Sequence, residues 1–317
     1  MIEILLKNKQ IVKAQTIEEL SISNLDFHVM QFIDYRDSEI NWLKENLNLD
    51  FSIMKNYEDF EISSHFLENT KQVSFHFSIP YYNKENKMIE EPLFIIIKQS
   101  SLFLFCSSRL DNFFNKIYSD RFSALQETED IKSVLEFQFA FISDYFADIT
   151  ENLSRRIKTL TNAILIEKNF SKREMDTITE YNFGNSLIKE SLIETTRVFR
   201  LYMKSKWEEK MDLKESIKSE LNDLVAISDY IQFNFDRLDD LKENISNKID
   251  LEQNHIFKML TVVTVCISLP TLIAGVYGMN FEQMPELKTA YGYPLILLAM
   301  LLSAILPFIY FKRKKWL

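Results

Sequence analysis

The chain has 317 residues, enough for two domains or one elongated one. Its formal net charge of −9 argues against a nucleic-acid partner, because phosphate binding needs a basic face. Its two cysteines, Cys106 and Cys266, lie far apart without C-x-x-C spacing, which argues against a disulfide framework and a structural zinc site. The four histidines (His28, His65, His76 and His255) are scattered and read as packing or surface residues.

The first ten residues, MIEILLKNKQ, are interrupted by Glu3, Lys7 and Lys9 and form no signal-peptide core, so the bulk of the chain is expected to stay in the cytoplasm. MIEILLKNKQIVKA reads as two short strands around a polar turn at Lys7–Lys9. YRDSEINWLKENL has a helical pattern. KQVSFHFSIPYY alternates Val73, Phe75, Phe77 and Ile79 with polar partners, the period-2 signature of a strand. PLFIIIKQSSLFLFCS contains two β-rich runs, Phe94–Ile97 and Leu102–Phe105. Together these predict an α/β domain over residues 1–125.

Residues 126–256 are predicted to be helical. No proline falls between Pro92 and Pro270, and Gly184 is the one glycine in that interval. The longest helix should begin near residue 213 and run straight into the apolar C-terminal region. Leu224, Ile227, Ile231, Leu238, Leu241, Ile245 and Ile249 keep one apolar stripe along it. From residue 213 to residue 278 such a helix would be roughly 100 Å long, and it needs neighbours to be stable.

Charge then almost vanishes. Residues 259–281 and 289–311 carry none. As a helix, each run spans roughly 34 Å, more than the ~30 Å hydrocarbon core of a bilayer. The expected division is a first span at 257–278, a loop at 279–290, a second span at 291–311 and a basic tail at 312–317. The tail holds Lys312, Arg313, Lys314 and Lys315, whereas the loop holds Glu282, Glu286 and only Lys288. The positive-inside rule therefore places both termini in the cytoplasm of a multi-pass cell-membrane protein, with the short loop outside. The fold class expected is an α+β membrane protein: a cytoplasmic α/β N-terminal domain, a long helical stalk and two C-terminal transmembrane helices.

One face of the first span stands out. Asn254, Phe257, Thr261, Thr264, Ser268, Thr271, Gly275 and Gly278 follow one another at spacings of three and four, and all but Phe257 are polar or small. Two readings fit. Small and hydroxyl residues let membrane helices pack closely. Alternatively, the face lines a water-filled path, with Phe257 and Leu260 as a hydrophobic constriction at its cytoplasmic end. Two spans cannot enclose a pore, so the second reading requires several copies around an axis. The second span is almost wholly apolar and suits a lipid-facing position.

Tyr277-Gly278-Met279-Asn280-Phe281, then Met284-Pro285-Glu286-Leu287, Gly292-Tyr293-Pro294 and a terminal Lys-Arg-Lys-x-Trp-Leu resemble the CorA family of magnesium transporters. LEQNHIFKMLTVVTV and SLPTLIAGVYGMNF are similar to that family's inner helix. The motif match covers about the last 65 residues. The resemblance implies a homopentameric funnel, with first spans in an inner ring and second spans in an outer ring. It implies that Gly278, Met279 and Asn280 form the external ion-entry filter. A ring of neutral oxygens suits that role, because Mg²⁺ sheds its waters reluctantly and can be held through them without being trapped. Glu282 and Glu286 just outside would raise the local cation concentration, or form an ordinary solvated loop. Mg²⁺ would be both transported ion and regulatory ligand, with no other cofactor. Asp229, Asp236, Asp240 and Glu243 form one acidic face on the stalk, a candidate regulatory metal site weighed against a simply solvated face. Phe257 stands where relatives often have methionine, and Ser268 where many have a larger apolar residue, so the gate is expected to be placed or weighted differently.

The function expected is influx of Mg²⁺, with Co²⁺ and Ni²⁺ as further candidates, down the electrochemical gradient and with closure by cytoplasmic Mg²⁺. The partners expected are other copies of the chain, divalent cations and membrane lipid. A zinc-transporting branch of the same superfamily is an alternative against which Met279 argues. A non-conducting membrane-anchored scaffold is another, against which the polar stripe argues. No nucleophile motif, phosphate loop or metal-ligand cluster points to an enzyme.

Overall fold

The computed structural model describes residues 1–20, 26–55, 65–110, 130–166, 172–279, 284–285, 289 and 291–316. The chain divides into two compact units, Met1–Leu241 and Lys242–Leu317.

The first unit is built on a seven-stranded sheet. Its strands are β1 (Ile2–Leu6), β2 (Ile11–Ala14), β3 (Phe27–Ile33), β4 (Phe66–Glu68), β5 (Gln72–Tyr82), β6 (Met88–Lys98) and β7 (Ser101–Cys106), in the spatial order β2-β1-β3-β7-β6-β5-β4. All neighbours are antiparallel except β3 and β7, which run parallel with Val29 opposite Leu102. The polar turn after β1 does what its sequence promises: Lys9 takes a left-handed φ of 70°, and the two strands pair from Ile2↔Ala14 to Leu5↔Ile11. Pro92 does not end β6. It pairs with Ser78 of β5, while the ladder to β7 begins only at Phe94, so its missing N–H faces no partner strand.

Alternation divides the sheet into two apolar faces. On one, Phe94, Ile96, Phe103 and Phe105 join Phe32, Met30, Ile2 and Ile4 under α1 (Asp37–Leu47) and the turn at Ile53. Phe32 and Phe105 stack at 4.9 Å. On the other face, Phe75 and Phe77 meet Phe139 of α2 (Ile131–Leu165) and Phe199 and Tyr202 of α3 (Lys172–Tyr202). The result is a three-layer sandwich. Asp130 caps α2 by accepting from the Ser133 amide at 2.8 Å. Gly184 lets α3 approach the sheet: a Cβ there would sit 3.3 Å from Met88.

After α3 a short turn of helix, α4 (Glu208–Met211), and a left-handed Asp212 (φ 51°) redirect the chain into α5 (Lys214–Tyr277). At 64 residues, α5 is about 96 Å long. Its N-terminal part belongs to the first unit, where Leu224, Ile227, Ile231, Leu238 and Leu241 are buried. Polar bonds fix it there. Ser154 donates to Asn234 at 3.0 Å, and the Asn185 amide donates to the Ile231 carbonyl at 2.9 Å. Of the predicted stripe, Ile245 is also buried and Ile249 is exposed.

The second unit holds the rest of α5 and α6 (Gly292–Arg313). Both helices are long and apolar enough to cross a membrane, and 6 % and 0 % of their apolar windows are buried. A core helix of a soluble protein would bury most of that window. Pro270 lies inside α5 and Pro307 inside α6, and both helices continue past them.

Candidate functional site

The polar stripe of α5 is exposed from end to end. Asn254, Phe257, Leu260, Thr261, Thr264, Ser268, Thr271, Gly275 and Gly278 all face outward, with Phe257 64 % exposed. In the same segment Val262 is buried, and Val265, Cys266, Pro270, Ile273 and Tyr277 are half-buried. At 100° per residue this second series lies on the opposite side of the helix. On α6, Ile296, Met300, Ala304, Pro307 and Phe311 likewise form a single half-buried stripe. The polar face thus lies within the part of α5 that its own chain leaves uncovered, which also includes Val263, Ile267 and Leu272.

The hydroxyls on that face are bonded within the helix. Thr261 donates to the Phe257 carbonyl at 2.8 Å, Thr264 to Leu260 at 2.8 Å and Thr271 to Ile267 at 2.7 Å. Ser268 reaches the Val265 carbonyl at 3.4 Å. This back-bonding lets hydroxyl residues sit on a membrane helix without an unsatisfied donor.

The two glycines differ. A Cβ on Gly275 would meet nothing within 4 Å, so its own chain does not require a glycine there. A Cβ on Gly278 would sit 3.0 Å from the Ala274 carbonyl, to which the Gly278 amide donates at 2.8 Å in closing the helix. Met279 follows, exposed, with its amide on the Val276 carbonyl at 3.3 Å. Asn280, Glu282 and Glu286 lie outside the described residues.

Asp229, Asp236, Asp240 and Glu243 are all exposed on α5, on the side opposite the buried stripe of Leu224, Ile231 and Leu238. Asp236 accepts from Gln232 at 2.9 Å. Among the described residues of one chain, no group of three or more acidic, histidine or cysteine side chains is placed to hold a metal.

The sequence reading missed a second acidic cluster, inside the first unit. A cavity of about 510 Å³ lies between α2 and α5, lined by Asp144, Thr150, Glu151, Asp223, Ile227 and Tyr230 among others. Burial, together with Asp148 and Asp223, pushes the Asp144 carboxyl above its usual range. Burial also raises Glu220, with Asp223, Asp144 and Glu136 adding to it and a hydrogen bond from Ser143 opposing. No local pattern announces this cluster. Its members come from two helices about 80 positions apart, and only packing brings them together.

Residues 28–313 match the family model described as CorA-like Mg2+ transporter protein. The chain belongs to the CorA-like Mg2+ transporter family. The match extends well beyond the C-terminal motifs, from β3 to the end of α6. Among curated relatives of this CorA-like chain, the Magnesium transport protein CorA of Campylobacter jejuni (strain RM1221) is 30 % identical over 295 residues, covering 88 % of each chain. That of Wolinella succinogenes is 27 % identical over 286 residues, again covering 88 % of each. Among solved structures, the complete CorA magnesium transporter from Methanocaldococcus jannaschii superimposes with a TM-score of 0.78 at 18 % identity, covering 100 % of this chain and 98 % of that one. The ZntB cytoplasmic domain from Vibrio parahaemolyticus gives 0.55 at 10 % identity, covering 70 % and 87 %.

Proposed function

We propose that this CorA-like chain conducts Mg²⁺ into the cell as a homopentamer, each copy turning the polar face of α5 toward a central path. The observation that carries the reading is the opposition of two stripes. One side of α5 is partly covered within its own chain, while the other, beyond Phe257 and Leu260 at one end, is polar or small, exposed and internally hydrogen-bonded. An anchor has no need of such a face, and a single chain cannot enclose it.

In this reading Gly278, Met279 and Asn280 of five copies ring the external mouth, and Glu282 and Glu286 enrich cations outside it. The Asn280 amide holds the ion through its hydration shell. Phe257 and Leu260, both large, apolar and exposed, narrow the opposite end. Both termini are cytoplasmic, with the four cations of the tail on the inner surface. Drive comes from the membrane potential. A divalent ion crossing ~100 mV gains roughly 4.6 kcal/mol, so no nucleotide site is needed. Feedback closure would use the acidic face of Asp229, Asp236, Asp240 and Glu243. One chain offers no complete metal site there, so a cation would have to bridge neighbouring copies and relieve their mutual repulsion.

The test is Mg²⁺ flux into proteoliposomes, wild type against Asn280→Ala, with interior Mg²⁺ varied. Flux lost in the variant, and falling in the wild type as interior Mg²⁺ rises, supports the filter and the feedback. Flux of Zn²⁺ alone, or flux requiring a proton gradient, replaces this reading with the zinc-transporting one. No flux of any divalent ion from folded oligomer leaves a scaffold. Inhibition by Mg²⁺ that survives Asp236→Ala with Asp240→Ala removes the acidic face from the mechanism.

A further inference from the structure

The C-terminus of α6 is a folded turn. The Trp316 amide donates to the Phe311 carbonyl and the Lys315 amide to the Lys312 carbonyl, each at 3.1 Å. Lys315 between them is left-handed, with φ 57°. This is the Schellman closure, in which the residue after the turn also packs back on the last helical turn. Here the Trp316 ring lies 5.0 Å from the Phe311 ring, inclined by 31°. Glycine is the residue that favours the left-handed position, yet a lysine occupies it.

The turn sets out four consecutive cations, Lys312, Arg313, Lys314 and Lys315, all exposed. Among the described residues none of them is in an ion pair. Simply ending a membrane helix requires neither a fixed backbone nor an aromatic staple, since flexible lysines would serve. A fixed set of cations at the end of a 22-residue apolar helix, beside Trp316 and the exposed Tyr310, matches a ligand that is anionic at one end and apolar at the other.

We propose that this turn is a recognition site for anionic phospholipid. The phosphodiester headgroup would bind the cations, while Tyr310 and Trp316 lie along the first carbons of the acyl chains. Cations at a helix C-terminus also complement the helix dipole. That effect alone would not discriminate between lipids. A free phosphate could reach the cations but would have nothing to place against the two rings. The proposal rests on α6 crossing a membrane and is independent of ion selectivity.

The experiment uses the full chain in nanodiscs of phosphatidylcholine containing a minor fraction of phosphatidylglycerol, with retained lipid counted by native mass spectrometry. Wild type should retain phosphatidylglycerol preferentially, and the preference should fall as salt is raised. Lys314→Gln with Lys315→Gln should lower it by about 30-fold, at roughly 5-fold for each cation lost. Lys315→Gly should lower it about 5-fold while giving the turn its favoured residue, which separates charge from folding. Trp316→Ala keeps every cation and should still weaken retention, because the staple is gone. An unchanged preference in the double variant, or no preference in the wild type, overturns the proposal. Insertion of every variant into the nanodisc, seen in the same spectra, keeps a failed site distinct from a failed membrane segment.

Discussion

The two units handle apolar side chains in opposite ways. In Met1–Leu241 the large rings turn inward: Phe32, Phe75, Phe77, Phe105, Phe139 and Phe199 are each at most 1 % exposed. In Lys242–Leu317 Leu298, Leu301, Leu306 and Ile309 are exposed although they are just as apolar. The first unit obeys the rule for a protein in water, and the second breaks it along two whole helices. The difference identifies the solvent of each part. One unit excludes water by its own packing; the other leaves its apolar side chains to the acyl chains of a membrane.

The sharpest way to break this comparison is to truncate one large apolar side chain in each part. Phe139→Ala, amid Phe75, Phe199 and Tyr202, should cost about 3–5 kcal/mol in denaturant unfolding. Leu301→Ala on the exposed face of α6 should stay within about 0.5 kcal/mol in detergent. Similar costs for the two would mean that α6 is packed as a core helix after all.

Acidification is expected to act on the first unit alone. His65 and His76 stack there with their Nδ1 atoms 2.8 Å apart, and burial, followed by the neighbouring His65, draws His76 down to about 3. A histidine depressed on folding supports the fold above its unfolded value near 6.5 and loses that support as pH falls toward the folded value. Thermal melts should therefore show stability dropping between pH 6.5 and 3, by up to about 1.4 kcal/mol per pH unit. His76→Phe should flatten that slope, and an unaltered slope would locate the titration elsewhere.

The glycines sharpen the comparison within α5. Gly278→Ala brings a methyl against the Ala274 carbonyl and, if the proposed filter follows this helix end, should lower Mg²⁺ flux several-fold by disturbing it. Gly275→Ala meets nothing in its own chain and should raise helix stability by up to about 1 kcal/mol. If Gly275→Ala nonetheless cuts flux, another copy or the path itself occupies that space. The smallest effect is expected from Thr264→Val, which removes one internal hydrogen bond from an exposed position. It should leave melting unchanged within about 0.5 kcal/mol, and any change in flux then reports on wetting of the face.

Periodicity made much of this legible in sequence. β5 shows as alternation because its two faces differ in composition, and α5 begins at Lys214, beside the start expected near residue 213. The strand β3, Phe27–Ile33, gave no such signal. It lies in the middle of the sheet between β1 and β7, and Val29, Met30, Gln31 and Phe32 are all buried, so both faces are apolar and alternation disappears. The break between α3 and α5 was legible only through the expected start of the later helix near residue 213. Neither glycine nor proline makes it; a left-handed Asp212 and a turn in which the Glu208 amide donates to the Ser205 hydroxyl do. The polar stripe was readable because helical spacing alone places it. That the stripe faces away from the covered side depends on where the rest of the chain packs, which spacing does not encode.

The threonines of that stripe have a chemical polarity of their own. Once Thr261, Thr264 and Thr271 have given their protons to backbone carbonyls, each hydroxyl has only lone pairs left to offer outward. A column of such groups is acceptor-only. The water around a cation points its hydrogens outward and finds complementary partners along that column. The water around an anion spends one hydrogen on the ion and turns its oxygen outward, so it finds fewer partners there. Charge selection can thus begin with the orientation of solvent, several turns of helix away from any carboxylate.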